Sequence, residues 1–338
     1  MQRQQQQVIL GSSGLSATRL GLGGGPLGNM FAPIGEDDAR AALERAWDLG
    51  VRLYDTSPFY GYGTSERRFG RMLADKPREE FVLSTKVGKM LRADVEPKAE
   101  QFVDGEPFFR DVPALNVEYD YSGDGVRRSI EQSLERLGLD RIDHVNVHDP
   151  DDFFEEAING AIPALVQLRS EGVIGSVGIG INQADLLERF VREADLDLVL
   201  LAGRYSLLDQ AALSTTLFEA TQQTNTAIML GGVYNSGLLV RPEVGARFNY
   251  EAAPTPLIDR AQALAAICDR HDVPLMAAAI QFPLAHPAIT AVLTGVRAAV
   301  EIEENVRMLN HHIPAQLWAD IRASGLVHEE AVLPDEAA

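Results

Sequence analysis

Short apolar runs alternate with stretches of helical periodicity along nearly the whole chain. The runs cover 20–23, 51–55, 81–86, 142–148, 173–181, 196–202, 227–231 and 289–294. Each has the length and flanks of a buried strand. Helical patterns follow them, starting near Glu36, Thr64, Asp124, Asp152, Gln183, Asp209, Pro256 and Ala298. The third is the clearest. Val126, Ile130, Leu134 and Leu137 share one face, Ser122 or Asp124 supplies the N-cap, and Gly138 the stop. Eight strand–helix pairs predict a single closed (β/α)8 barrel of the TIM type, of the α/β class, in preference to a doubly wound open sheet. The leading segment, 8–19, carries a Gly-Ser-Ser-Gly turn between apolar stretches and predicts a small hairpin under the barrel. The barrel is expected to span 8–327 and residues 328–338 to form a flexible tail, with 335–338 a disordered end. Trp318 and the segment 313–327 are expected to cover the rim of a pocket or to form an interface.

Two connections are long, 88–123 after the third run and 233–255 after the seventh. Both leave the carboxyl ends of strands, where a barrel of this kind builds its active site. Loops of this length in a compact domain are usually functional.

Composition narrows the field. Apolar residues make up 46% of the 338, enough for a large core, yet no run nears the roughly 18 apolar residues of a membrane span. The glutamine-rich start, 1–7, lacks the basic-then-apolar order of a signal peptide. One cysteine, Cys268, excludes an internal disulfide and suits a cytoplasmic location. A net charge of −19 argues against nonspecific binding to nucleic acid or an anionic membrane.

The candidate chemistry gathers at strand ends. The second run ends at Asp55, with Tyr60 just beyond. The third ends at Lys86 and the fourth at His148. An ion pair of Asp55 with Lys86 is the plain structural alternative for two of these residues, but it leaves the tyrosine and histidine unexplained. A phenol with a pKa of about 10 is a poor acid or base near neutrality. A neighbouring ammonium is expected to lower that value, with aspartate holding the lysine in place. Histidine then polarises a substrate carbonyl, and Tyr60 serves as general acid in reduction and general base in oxidation. No nucleophile or metal-ligand set stands out, so the hydride must come from a cofactor. His144 and His148 lie roughly 13 Å apart along a strand, too far to share a metal ion. Gly23, Gly25 and Gly28 fit a dinucleotide fingerprint in spacing alone, because Pro26 and Pro33 interrupt the helix it requires.

These residues resemble the Asp–Tyr–Lys–His tetrad of the aldo-keto reductase superfamily. Tyr54-Asp55-Thr56-Ser57-Pro58-Phe59-Tyr60-Gly61, Ser84-Thr85-Lys86 and Val147-His148-Asp149-Pro150 are similar to its signature segments. Gly24-Gly25-Pro26-Leu27-Gly28, Tyr119-Asp120-Tyr121-Ser122 and Gly203-Arg204-Tyr205-Ser206 resemble the D-threo-aldose 1-dehydrogenase branch, which lies close to the pyridoxal 4-dehydrogenases. The resemblance implies NAD(P)-dependent oxidation of a hemiacetal carbon to a lactone, with a small sugar or carbonyl compound as substrate. General carbonyl reduction and a cofactor-sensing binding subunit are the alternatives. It also implies that Tyr60 and His148 meet the substrate. Tyr119 and Tyr121 either line that pocket or merely pack.

The same resemblance places the cofactor after the eighth run, on Gly295, Arg297, Glu301, Glu304 and Asn305, with Gly24 and Asp55 beside it. Gly232, Val233, Tyr234 and Gly237 are expected to approach its pyrophosphate. Glu301 stands where some NADP-dependent relatives carry an arginine, which favours NAD while leaving NADP open. Gly180, Ile181, Ala202 and Gly231 replace residues that relatives use on the nicotinamide, so Asn182, Arg204 or Tyr205 are expected to take over.

Overall fold

The computed structural model describes residues 2–334. Eight parallel strands close a barrel in sequence order: β1 Leu20–Gly23, β2 Leu53–Asp55, β3 Val82–Val87, β4 Ile142–His148, β5 Ile174–Ile181, β6 Leu198–Ala202, β7 Ala227–Gly231 and β8 Ile289–Gly295, with β8 pairing β1. The expected barrel is therefore the observed fold, and every apolar run is one of its strands. Helices pack outside: α1 Glu36–Asp48, α2 Thr64–Leu73, α3 Gly123–Leu137, α4 Ile162–Ser170, α5 Ala184–Glu193, α6 Leu217–Thr224, α7 Thr255–Asp269, α8 Leu275–Gln281, α9 Ala299–Leu309 and α10 Ala315–Ala323. The Ser122 hydroxyl caps α3 by accepting the Gly125 N–H, and Gly138 ends it in the left-handed region.

Three expectations are corrected. The sixth helix starts at Leu217, not near Asp209, because the Asp209 carboxylate accepts the Ala211 N–H and closes a local turn. Trp318 is buried in the outer core, where α10 packs on α7, and it covers no pocket rim. Within the expected tail, 328–334 is fastened: Arg322 donates to the carbonyls of His328, Glu329 and Ala331, and Ala331 and Leu333 are buried. The expected disordered end, 335–338, lies outside the described residues.

Pleating sorts the strand residues into two sets. Leu83, Val145, Val147, Val177 and Ile179 point outward to the helices. The interior is divided. Its β6–β8 side is apolar, with Leu198, Leu200, Met229, Ala291 and Leu293. Its β2–β5 side carries Asp55, Ser84, Lys86, His144, Asn146, His148 and Ser176, all buried. A hairpin of Gln7–Ile9 and Ser16–Thr18 plugs the amino-terminal end with Leu10 and Ala17.

Both long connections fold on themselves at the opposite end. Lys89–Arg92 pairs Asn116–Tyr119, and Arg247–Phe248 pairs Glu251–Ala252. Phe59, Tyr62, Phe108, Phe109 and Val117 form a separate apolar cluster that roofs the β2 and β3 ends.

Candidate active site

Asp55 closes β2 and Lys86 lies near the end of β3, so strand pairing alone brings them together. Lys86 Nζ donates to Asp55 Oδ2 at 2.6 Å and to the Thr56 carbonyl at 2.9 Å. The Ser84 hydroxyl donates to Asp55 Oδ1 at 2.8 Å. Lys86 is 1% exposed and Asp55 2%, so the pair is shut off from water. Tyr60 sits on the turn that follows β2. That turn packs hard against the 26–28 turn: a Cβ on Gly28 would lie 2.5 Å from the Tyr60 carbonyl carbon, so only glycine fits. Lys86 Nζ is 4.8 Å from the Tyr60 ring centre, and the His148 ring stands edge-on to Tyr60 at 5.8 Å.

Ser57 sets the histidine. Its oxygen accepts the Phe59 N–H, and it lies 3.1 Å from His148 Nδ1. That contact holds the His148 ring in place, with Ser57 able to donate to Nδ1 or to accept from it. Burial, aided by Lys89 and Lys86, pushes His148 well below its ordinary pKa, so the ring is neutral. Tyr121 donates its hydroxyl to the carbonyls of His148 and Asp149. Asp149 takes a positive φ of 42° that turns its carboxylate onto Lys89 at 2.8 Å, and Lys89 also holds Glu100 at 2.5 Å.

Tyr60 titrates opposite to expectation. Its pKa is raised well above 10, by burial first and then by the charges of Asp55, Tyr250 and Asp149. The ammonium expected to lower it is neutralised by Asp55 at 2.6 Å, so the pair offers the phenol little net positive charge. Tyr60 is consequently a protonated acid at neutral pH.

Beside Tyr60 opens a cavity of about 680 Å³, within the roughly 300–1,000 Å³ range of ligand sites. Gly24, Asp55, Tyr60, Asn182, Gly232, Val233, Tyr234, Gly237, Gly295, Arg297, Glu301, Glu304 and Asn305 all line it. Tyr205 does not. It is wholly buried against Phe218, Phe282 and His286 under the outer helices. Arg204 turns instead to Asn249 and Asp209. Tyr119 packs on Phe153 and Tyr121 holds the β4 end, so neither reaches the cavity wall. In their place stand Met30, Phe31, Asn249 and Tyr250. Sequence reading missed these four because they come from two separate loops that meet only in the fold.

Buried histidines also set a stability window. Burial lowers His144 and His286 to about 4 and His148 well below its usual value. The unfolded chain takes up these protons near pH 6.5, while the folded chain refuses those of His144 and His286 until about pH 4 and that of His148 until well below its ordinary value. Stability is therefore full above about pH 6.5 and lost as pH falls, by up to about 1.4 kcal/mol per unit for each histidine. The Tm is expected to drop steadily between about pH 7 and about pH 5, and a flat Tm would refute this.

A closed parallel barrel that sets an acid and a buried ion pair beside a glycine-lined cavity at its carboxyl end, with a neutral histidine against the acid and outside the cavity lining, defines a (β/α)8 oxidoreductase. The aldo/keto reductase family model matches residues 19–325, and the chain belongs to that family. It is 44% identical over 319 residues to a D-threo-aldose 1-dehydrogenase from a Pseudomonas species, covering 94% of this chain and 96% of that one. It is 41% identical to a pyridoxal 4-dehydrogenase from Microbacterium luteolum, over 94% and 97% of the two chains. An aldo-keto reductase from Bacillus halodurans shares the fold, with a TM-score of 0.74 at 24% identity, over 99% of this chain and 100% of the other.

Enzymes of this family use NAD(P)H, and the residues present fit such a cofactor. The Thr294 hydroxyl is buried on the cavity wall without a protein partner. Gly237, at φ 95°, has open space where a Cβ would stand. Gly231 and Ala202 keep their part of the wall free of bulky side chains. Among the described residues no helix is long and apolar enough to cross a membrane, and no group of three or more ligating side chains is placed to hold a metal ion.

Proposed function

We propose that this enzyme oxidises the hemiacetal carbon of a cyclic aldose to a lactone, with NAD as the hydride acceptor, in the cytoplasm. The observation that carries the reading is the Asp55–Lys86–Tyr60–His148 constellation in a chain so similar to an aldose 1-dehydrogenase. A nicotinamide cofactor supplies the hydride acceptor when bound. Tyr60 takes the proton of the hemiacetal hydroxyl, and His148 Nε2 donates a hydrogen bond to the same oxygen. Lys86 holds the Asp55 side of Tyr60 neutral and dry. Because the Tyr60 pKa is raised, oxidation is expected to quicken with rising alkalinity, while reduction runs with the tyrosine already protonated.

Two observations favour NAD over NADP. Glu301 stands on the cavity wall and accepts the Arg297 N–H at 2.6 Å, so a 2′-phosphate there would meet a carboxylate. The Arg297 guanidinium is already taken up by the carbonyls of Met30, Ala32 and Pro33. The test follows reduced-nicotinamide absorbance with NAD or NADP against L-fucose, D-arabinose, L-galactose and pyridoxal. Growth with a sugar and NAD supports the reading. Growth with pyridoxal alone moves the enzyme to the chemistry of its other relative, and a preference for NADP overturns the cofactor assignment.

A further inference from the structure

The polar half of the barrel interior contains a buried histidine, His144, that the mechanism above does not use. It sits four residues, two repeats of the pleat, below His148 on β4, level with Ser84 on β3 and Ser176 on β5. Its Nδ1 lies 2.7 Å from Ser176 Oγ and its Nε2 3.0 Å from Asn146 Oδ1. Asn146 Nδ2 donates to Ser84 Oγ at 3.4 Å, and Ser84 Oγ donates to Asp55 Oδ1 at 2.8 Å.

The donors and acceptors fix a direction. An amide oxygen only accepts, so Nε2 must carry the hydrogen it gives to Asn146. With a single ring hydrogen placed there, Nδ1 accepts, and the Ser176 hydroxyl donates to it. That contact is shorter than the alternative from Ser176 to the Asp143 carbonyl at 3.3 Å. Asn146, its oxygen engaged, turns its N–H toward Ser84, whose own hydrogen is then committed to Asp55. Each of the four groups passes its hydrogen the same way, and the series ends on the carboxylate that holds Lys86. The charged groups around His144 are Asp55 on β2, Lys86 on β3 and Asp197 just before β6, and burial keeps the ring neutral among them.

The space for this series is built in. A Cβ on Gly178 of β5 would lie 2.6 Å from Asn146 Oδ1 and 2.7 Å from the His144 ring, and would also strike the Leu198 carbonyl. Any side chain there would push His144 and Asn146 out of line.

We propose that Ser176, His144, Asn146 and Ser84 form a one-way hydrogen-bond series through the barrel interior that fixes the Asp55 carboxylate, making His144 a positioning residue for Lys86 and Tyr60. The series acts through neighbouring dipoles that reinforce one another in a low-dielectric interior. It rests on the proton-transfer role proposed for Tyr60 but on no particular substrate.

Two measurements test it. In the unaltered protein, nitrogen-labelled histidine read by NMR is expected to show His144 as the Nε2–H tautomer, uncharged across the near-neutral range. An Nδ1–H tautomer, or a ring that titrates like a free histidine, overturns the direction and with it the proposal. The second is a double-mutant cycle assayed on whichever aldose or carbonyl compound the enzyme turns over, so that an error in the substrate reading does not touch it. His144→Phe is expected to lower kcat about ten-fold at unchanged KM, short of the 10²-fold that a displacement of about 1 Å costs. Ser84→Ala cuts the series at its last link, so adding His144→Phe to it is expected to lower kcat no further. Independent, multiplying losses, or an unchanged kcat in His144→Phe, overturn the proposal. If the variants fail to fold, the tautomer alone decides.

Discussion

Tyr60→Phe is expected to lower kcat by about 10²–10⁴, the usual contribution of a positioned general acid or base, while cofactor affinity stays near that of the parent. The ring keeps its place under the change. It stands edge-on to His148 and beside Lys86, and neither contact uses the hydroxyl. Only the proton carrier is lost. The effect should be the same for reduction and oxidation, since one oxygen serves both directions. Stopped-flow or steady-state turnover, paired with fluorescence titration of the cofactor, separates the two quantities. Undiminished turnover would remove Tyr60 from the chemistry, and a parallel loss of cofactor binding would assign it a different role.

Lys86→Met is expected to destabilise the fold by about 3–5 kcal/mol, besides abolishing turnover, because it strands a buried carboxylate. Asp55 is 2% exposed, and without Lys86 its only remaining side-chain partner is the Ser84 hydroxyl. Water cannot replace the lost ammonium at that depth. Replacing both partners, as in Asp55→Leu with Lys86→Met, should recover most of the stability and none of the activity. Denaturant midpoints for the single and double variants check this. Equal midpoints for Lys86→Met and the parent would mean that Asp55 simply takes up a proton at no cost.

The barrel was legible in the chain because each strand is a short buried run whose flanks stop it. Val51 and Arg52 were counted into β2 only because apolar character extends past the paired residues Leu53–Asp55. The tetrad was legible for the same reason: Asp55, Lys86 and His148 end or nearly end their strands, and parallel pairing gathers strand ends. What the sequence hid is set by contacts between distant segments. Lys89 reads as one more charged residue after β3 until Glu100 and Asp149 close around it. Tyr119 and Tyr121 left lining and packing equally open in the sequence, and the hairpin geometry turns one onto Phe153 and the other onto backbone carbonyls. The acidity of Tyr60 was misjudged in sign because the sequence names a lysine nearby but not that an aspartate already spends its charge. Ser57 was visible as a motif residue, though its contact with His148 Nδ1 appears only in the hydrogen-bond geometry.

The uneven lining of the barrel has a chemical consequence of its own. Within the barrel interior Asp55, Lys86, His144 and His148 stand on the β2–β5 side, while the β6–β8 side of the cavity presents Leu200, Ala202, Gly231 and Leu293. Oxidation takes a hydride from a substrate carbon and a proton from the oxygen bonded to it, and only the polar side carries the acid–base group that receives the proton. Here the segregation is covalently encoded in which strands alternate polar with apolar residues. The protein works as an insulator as much as a conductor, confining acidity to one wall of a shared chamber.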